Sequence, residues 1–290
     1  MVPERNEYMR RIKIVADSAA DIISLEGVDF AFSSMKVITD SREFVDNEAL
    51  NVDEMAQFLY TYKGQSKSSC PNVGDWLDAF GDADDVICIT ITGALSGSYN
   101  SARMAKEVFE TTREGHRAYV LDSLSAGPEM TLIVEKIRDM VTAGCSFEYI
   151  CEAIETYRKT TGLCFMLKSL NNFANNGRVS PAVAKICGFV GICIVGRASD
   201  EGTLEPTHKC RGEARSLATL ADDLEKYGLT EGKVSIGHCA NETAANRLRE
   251  IIAARFPKAQ VEIHHLRGLC SFYAEQGGLL VGFEKGSARV

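Results

Sequence analysis

Residues 89–102 read ITITGALSGSYNSA: the end of an apolar strand, a glycine turn, then a hydroxyl-rich helix start. Ser96, Ser98 and Ser101 crowd this turn, while Gly93 and Gly97 let the backbone come close to a ligand. Free N–H groups at a helix N-terminus, with hydroxyls around them, suit an anion. That anion is either a reactant or cargo. For Ser96 to act as a nucleophile, an elbow glycine two residues earlier and a histidine base are needed. Residue 94 is alanine, and spacing does not show that any of the five histidines, at 116, 208, 238, 264 and 265, approaches Ser96. Neither GxGxxG nor a Walker pattern is present, so no nucleotide motif supports the turn. HxxxH-type spacing is missing too, and His264 and His265 would face opposite sides of a strand, so no metal site is expected.

Three further polar clusters fall at the ends of predicted strands, where open α/β sheets bind ligands. Asp17-Ser18 and Asp122-Ser123 read as caps, and Ser18 with Asp21 has capping-box spacing. Ser68 and Ser69 stand on a loop before Pro71, with hydroxyls open to solvent or ligand. In Asn175-Asn176-Gly177-Arg178 the glycine permits an unusual turn that sets Arg178 just before a helix starting at Ser180-Pro181. A lone arginine is ordinarily a surface residue. Beside the apolar run KICGFVGICIVG it becomes a charged tip over an apolar cavity, suited to a carboxylate with a long tail.

The elements that must position these groups alternate. Strands at 12–16, 86–92 and 118–121 are separated by helices at 53–63, 75–80 and 98–111, and followed by helices at 128–142 and 146–160. That alternation predicts a parallel sheet covered on both faces. Beyond Gly162 the texture changes: a strand at 163–167, a hairpin from 192–195 through SDEG to 203–209, helices at 212–226 and 241–255, and strands at 234–238 and 261–265. We therefore expect two domains, 1–160 and 161–290.

The 290-residue chain is 45% hydrophobic and 25% charged, the composition of a globular protein with ample core. Its net charge of −8 and the lack of a basic patch argue against nucleic acid. A charged N-terminus, MVPERNEYMRR, points away from export, and the apolar run at 186–195 is too short to span a bilayer. Ten cysteines without CxxC spacing, most inside apolar segments (88, 164, 187, 193, 239), read as buried thiols of a cytoplasmic protein.

Taken together, these segments resemble the DegV family, bacterial fatty-acid-binding proteins that serve as lipid-carrying subunits of fatty acid kinase. IKIVADSAADI resembles the family's opening strand with its TDSxxDL motif, and SKSSCPNVGDW its TSQPSPxxF loop, with Cys70 in place of glutamine. ITGALSGSYNSA resembles SSGLSGTYQSA, VLDSLSAG resembles VIDSxxxSMG, and SLNNFANNGRVSPAVA carries Arg178 at the family arginine. The resemblance covers nearly the whole chain. It implies an α/β fold with an N-terminal parallel-sheet domain and a C-terminal α/β domain with a mixed sheet. It further implies a fatty acid in an apolar tunnel, with Ser68, Ser69, Thr92, Ser96, Gly97, Arg178 and Tyr273 as ligand-binding residues. No catalytic residue, cofactor or metal is implied. The partners implied are the fatty acid, a separate kinase subunit that phosphorylates its carboxylate, and acyl-transfer enzymes at the membrane surface in phospholipid synthesis.

One departure matters. The family's HxGPG motif aligns with SFYAEQGGLLVGF, which puts Tyr273 at the histidine and removes the proline. A tyrosine hydroxyl donates a hydrogen bond but supplies no positive charge, and Glu275 nearby would repel an anion. Burial of an acyl chain yields about 0.8 kcal/mol per methylene, roughly ten in all. A lost charge-assisted hydrogen bond costs about 1.5–3 kcal/mol, so binding survives the change. Two alternatives remain: a serine hydrolase or acyltransferase using Ser96, and the same fold binding a different amphiphile.

Overall fold

The computed structural model describes residues 10–179, 183 and 191–286. The first half of the chain lays down β1 (Ile12–Asp17) and β2 (Asp29–Ser33), then β3 (Lys36–Thr39), β4 (Glu43–Val45) and β5 (Ser66–Ser69). β6 (Asp85–Thr90) and β7 (Arg117–Asp122) follow. The second half adds β8 (Thr161–Leu167), β9 (Ile192–Ala198), β10 (Leu204–Arg211), β11 (Gly232–His238), β12 (Ala259–His265) and β13 (Leu279–Glu284).

The expected parallel sheet is present, in the order β2-β1-β6-β7, with every neighbouring pair parallel. β6 is buried along its whole length, as its unbroken apolar run requires for a strand covered on both faces. Its one charged residue, Asp85, is held by Arg10 and Arg117 at 2.7 Å. The second half forms the mixed sheet, ordered β10-β9-β8-β13-β11-β12, parallel at β11–β12 and antiparallel elsewhere. The hairpin read at 192–209 is β9–β10, and its register shifts between Pro206 and His208, where proline cannot donate to the ladder.

Three features depart from the sequence reading. Ser66–Ser69 is not a loop: β5 pairs with β3 in a small third sheet, β4-β3-β5. The helices Asn171–Asn175 and Gly268–Ala274 and the strands β2, β3, β4 and β13 had not been anticipated. The Ser18–Asp21 capping box does not form, because Asp17 is the cap of the short turn and the Ser18 hydroxyl accepts from the Met35 amide. The expected helix start at Ser180-Pro181 and the thiol of Cys187 lie outside the described residues. Cys88, Cys164, Cys193 and Cys239 are buried thiols, as expected.

The two large sheets share a core. One buried cluster joins Ile14, Ile87, Ile89 and Leu121 of the first to Phe165, Leu167 and Leu280 of the second. The Pro128–Thr142 helix lies between them, and Gly282 of β13 lets it come close. A Cβ on Gly282 would collide with the Pro128 carbonyl and the Glu129 amide. Gly282→Ala is therefore expected to lower unfolding free energy by about 1–3 kcal/mol, the range for overpacking against a backbone that cannot yield. Urea denaturation checks this, and an unchanged midpoint would contradict the close packing.

Candidate functional site

Residues 91–98 connect β6 to the Ser98–Thr112 helix, and the turn is fixed from beneath by two carboxylates. Asp17, buried at the end of β1, accepts hydrogen bonds from the Ile91 amide (2.9 Å), the Ser98 hydroxyl (2.7 Å) and the Ala19 amide (3.2 Å). Burial pushes the Asp17 carboxyl up to about 7 against the lowering effect of these donors. Asp122, at the end of β7, accepts from the amides of Gly93 (3.1 Å) and Leu124 (3.0 Å). Asp17 caps, as its position suggested, whereas Asp122 caps no helix, since the next one starts at Pro128 after Gly127, and accepts instead from within a local turn; both hold the glycine–serine turn.

Within the turn, the Thr92 amide donates to the Ser125 carbonyl (2.9 Å), and the buried Thr92 hydroxyl accepts from Ala94 (3.2 Å). The Ser96 hydroxyl accepts from the Ser98 amide at 3.2 Å and stays half-buried at the surface. Gly97 begins the helix without a side-chain cap and is exposed. Ser98 is turned inward to Asp17, whereas Ser96 and Ser101 stay half-buried. A Cβ on Gly97 would stand 3.3 Å from the Cys70 sulfur, which places the end of β5 against this turn.

Arg178 arrives from the other half of the chain through a helix-terminating turn. The helix Asn171–Asn175 ends with Gly177 at φ +71°, the Gly177 amide donating to Ala174 O (3.0 Å) and the Arg178 amide to Phe173 O (2.8 Å). This paired pattern is the Schellman closure, which favours glycine at the left-handed position. It aims the Arg178 side chain at the glycine–serine turn: Nε donates to the Leu95 carbonyl at 3.0 Å, and Nη1 to the Asn176 carbonyl.

Asn176 and Glu275, which the sequence did not mark as positioning groups, tie this arm down. Asn176 Oδ1 accepts from the Ser68 amide (3.3 Å), and its Nδ2 donates to Ser66 O (3.2 Å) and Asn172 O (2.9 Å). Glu275 Oε1 accepts from the Asn172 amide at 3.0 Å, and Asn172 Nδ2 donates to Phe272 O at 2.7 Å. Burial pushes the Glu275 carboxyl up. Glu275 thus anchors the arm that carries Arg178, a role that the sequence reading of it as an anion-repelling charge did not include.

Tyr273 sits in the helix Gly268–Ala274, its hydroxyl 2.7 Å from that of Ser68 and its ring 4.7 Å from that of Phe173. Burial pushes the Tyr273 phenol up, so it stays protonated and able to donate. Ser69 faces the other way on β5; it is exposed, with its hydroxyl 3.4 Å from the Cys70 carbonyl. Leu95, Phe173 and Tyr273 line an apolar cavity of about 80 Å³ together with Leu163, Phe165 and Leu204. Thr92 lies along its wall. The histidines are engaged elsewhere: His116 at the Ala83 carbonyl, His208 at Thr207, His264 at Ser235, and His238 packed at a tilt against the His265 ring. Among the described residues no group of three His, Cys, Asp or Glu side chains is placed to hold a metal, and no helix is long and apolar enough to cross a membrane.

A hydroxyl pair, an arginine and a serine turn thus stand together beside an apolar cavity, joined to it through Tyr273 and Leu95. The sequence model of the DegV family ("Uncharacterised protein, DegV family") matches residues 11–285, and the chain belongs to that family. A DegV domain-containing protein of Streptococcus pneumoniae is 40% identical over 276 residues, covering 94% of this chain and 98% of that one. A DegV family protein from Eubacterium eligens, solved loaded with heptadecanoic acid, superposes with a TM-score of 0.92 at 40% identity, covering 94% of this chain and 99% of that one. The Streptococcus pneumoniae fatty acid kinase (Fak) B3 protein, loaded with linoleic acid, gives 0.92 at 39% identity, covering 95% and 99%.

The buried carboxylate under the turn has a pH signature. Because burial raises Asp17 from its ordinary 3.8 to about 7, the folded chain holds a proton that the unfolded chain releases. Stability from this group is complete below pH 4 and is lost as pH rises through 7. Unfolding free energy is expected to fall by at least about 1 kcal/mol between pH 4 and 8, with a smaller fall in Asp17→Asn. Chemical denaturation across that range checks it, and a slope identical in the two proteins would remove Asp17 from the account.

Proposed function

We propose that this chain binds one long-chain fatty acid and presents its carboxylate to a separate kinase for acyl-phosphate formation. The observation that carries this reading is Arg178, held 3.0 Å from the Leu95 carbonyl beside Ser96 and an apolar cavity that Leu95 lines. The linoleic acid in the fatty acid kinase B3 neighbour supports the ligand class. Carbonyl oxygens engage Nε and Nη1 of Arg178. A guanidinium has five N–H donors, so others serve the carboxylate. Ser96 and the Ser68–Tyr273 hydroxyl pair complete the head-group contacts, and Thr92 and Gly97 shape the turn. Ser69, exposed on the opposite side of its strand, contributes at the rim. Tyr273 replaces a charged partner with a neutral donor, which leaves Arg178 as the cation of the site.

In this reading residues 1–160 and 161–290 are two domains that share a core, and the acyl chain lies where they meet. No cofactor is required, since the chain delivers substrate and the kinase supplies phosphoryl chemistry. The site faces the cytoplasm, where acyl phosphate would pass to acyl-transfer enzymes at the membrane surface. The Ser96-nucleophile alternative finds no support in the hydrogen bonding, since the Ser96 hydroxyl accepts a backbone amide and the histidines have partners elsewhere.

Arg178→Ala is expected to weaken fatty acid binding roughly tenfold or more, the loss of one charge-assisted hydrogen bond. Ser96→Ala should slow phosphorylation by a kinase partner more than it weakens binding, because phosphoryl transfer depends on positioning. Displacement of a fluorescent fatty acid and a coupled kinase assay read the two effects. Unchanged affinity in Arg178→Ala would overturn the head-group assignment.

A further inference from the structure

A second cavity, about 330 Å³ in volume, lies on the far side of Leu163 and Ala198, which line it and the apolar cavity alike. Its character is the opposite. Arg158 and Lys159 enter from the last turn of the Phe147–Lys159 helix, Arg197 from β9, and Lys285 from just beyond β13. We propose that this polar cavity is a second binding site, for a compact phosphate-bearing anion.

Basic residues in a last helical turn complement the helix dipole, which accounts for the placement of Arg158 and Lys159 alone. It does not account for Arg197 and Lys285 converging from other strands on the same space. Carboxylates meet only part of this charge. Arg158 Nη2 bonds Glu155 at 3.0 Å, while its Nε is buried with no hydrogen-bond partner among the described residues. Arg197 is held by Glu205 at 2.9 Å and by Asp200 at 3.4 Å, and lies 4.9 Å over the Tyr227 ring, so its position is fixed in advance. Lys285 Nζ reaches a backbone carbonyl, that of Lys159, at 3.4 Å. Among the described residues neither Lys159 nor Lys285 has a carboxylate within ion-pair distance.

The acids in the wall are Glu129 and Asp200. Asp200 is taken by Arg197. Glu129 is buried, receives the Thr161 hydroxyl at 2.7 Å, and is pushed up by that burial, so it resists carrying charge. The unmatched cations therefore set the sign of the site. Lysine and arginine bind phosphate oxygens as point charge and fork respectively, and both kinds are present.

Isothermal titration of the full, lipid-loaded chain with inorganic phosphate, inorganic pyrophosphate and phenyl phosphate tests this. At least one is expected to bind with one-to-one stoichiometry and to weaken as sodium chloride is raised. Phenyl phosphate binding tighter than inorganic phosphate would mark the source as a phosphomonoester, and the reverse order a free ion. The double variant Lys159→Ala/Lys285→Ala should bind at least tenfold more weakly, and Lys106→Ala, on the Ser98–Thr112 helix, should be unchanged. If the double variant melts early, Lys159→Gln alone is read in its place, with a smaller loss expected. No saturable binding of any probe, or equal affinity in wild type and the lysine variants, would overturn the proposal.

Discussion

Asp17 is the constraint on which the site rests. Its one buried carboxyl gathers the Ala19 amide, the Ile91 amide and the Ser98 hydroxyl, extending the β1–β6 pairing past the ends of both strands. The end of β1, the end of β6 and the start of the Ser98–Thr112 helix are thereby locked together. The turn carrying Thr92, Ser96 and Gly97 has no freedom left to choose another path. Asp122 performs the same service from β7 through Gly93. Burying such a group is unfavourable unless its hydrogen bonds are met, and here backbone and hydroxyl donors meet them.

The second arm of the site is built by different means. A five-residue helix is too short to stand alone, since nucleation outweighs its few hydrogen bonds. Glu275 holds its first turn, Asn172 ties it to the Gly268–Ala274 helix, and Asn176 ties its end to β5. Arg178 follows immediately, and its backbone is part of the turn that closes the helix. Tyr273 joins this arm to β5, its phenol finding the Ser68 hydroxyl at 2.7 Å. In the proposed site the cationic contribution falls to Arg178, which these ties help to place.

Much of this was legible where the signal was local. The unbroken apolar run of β6, the turn SDEG between β9 and β10, and the glycine after Asn176 each announce their structure in a few residues. Ser96 and Arg178 could be singled out for the same reason. What escaped depends on partners far along the chain. β5 is a string of serines and lysine that becomes a strand only against β3. The helix Gly268–Ala274 begins at a glycine and is started by Asp46, which accepts from the Gly268 and Leu269 amides at 3.0 Å. Asn176 and Glu275 look like ordinary loop residues until the fold brings them to Ser68 and Asn172. The outward turn of Ser69 follows from strand alternation, which a loop assignment could not supply.

The central claim is that the apolar cavity holds a carboxylate-headed chain. Native mass spectrometry of the purified protein, followed by solvent extraction and identification of the released ligand, tests it most directly. The account predicts one long-chain fatty acid per chain, retained under native conditions and released on denaturation. A protein that is empty after exposure to fatty acid, or one that carries only a neutral lipid, would contradict it.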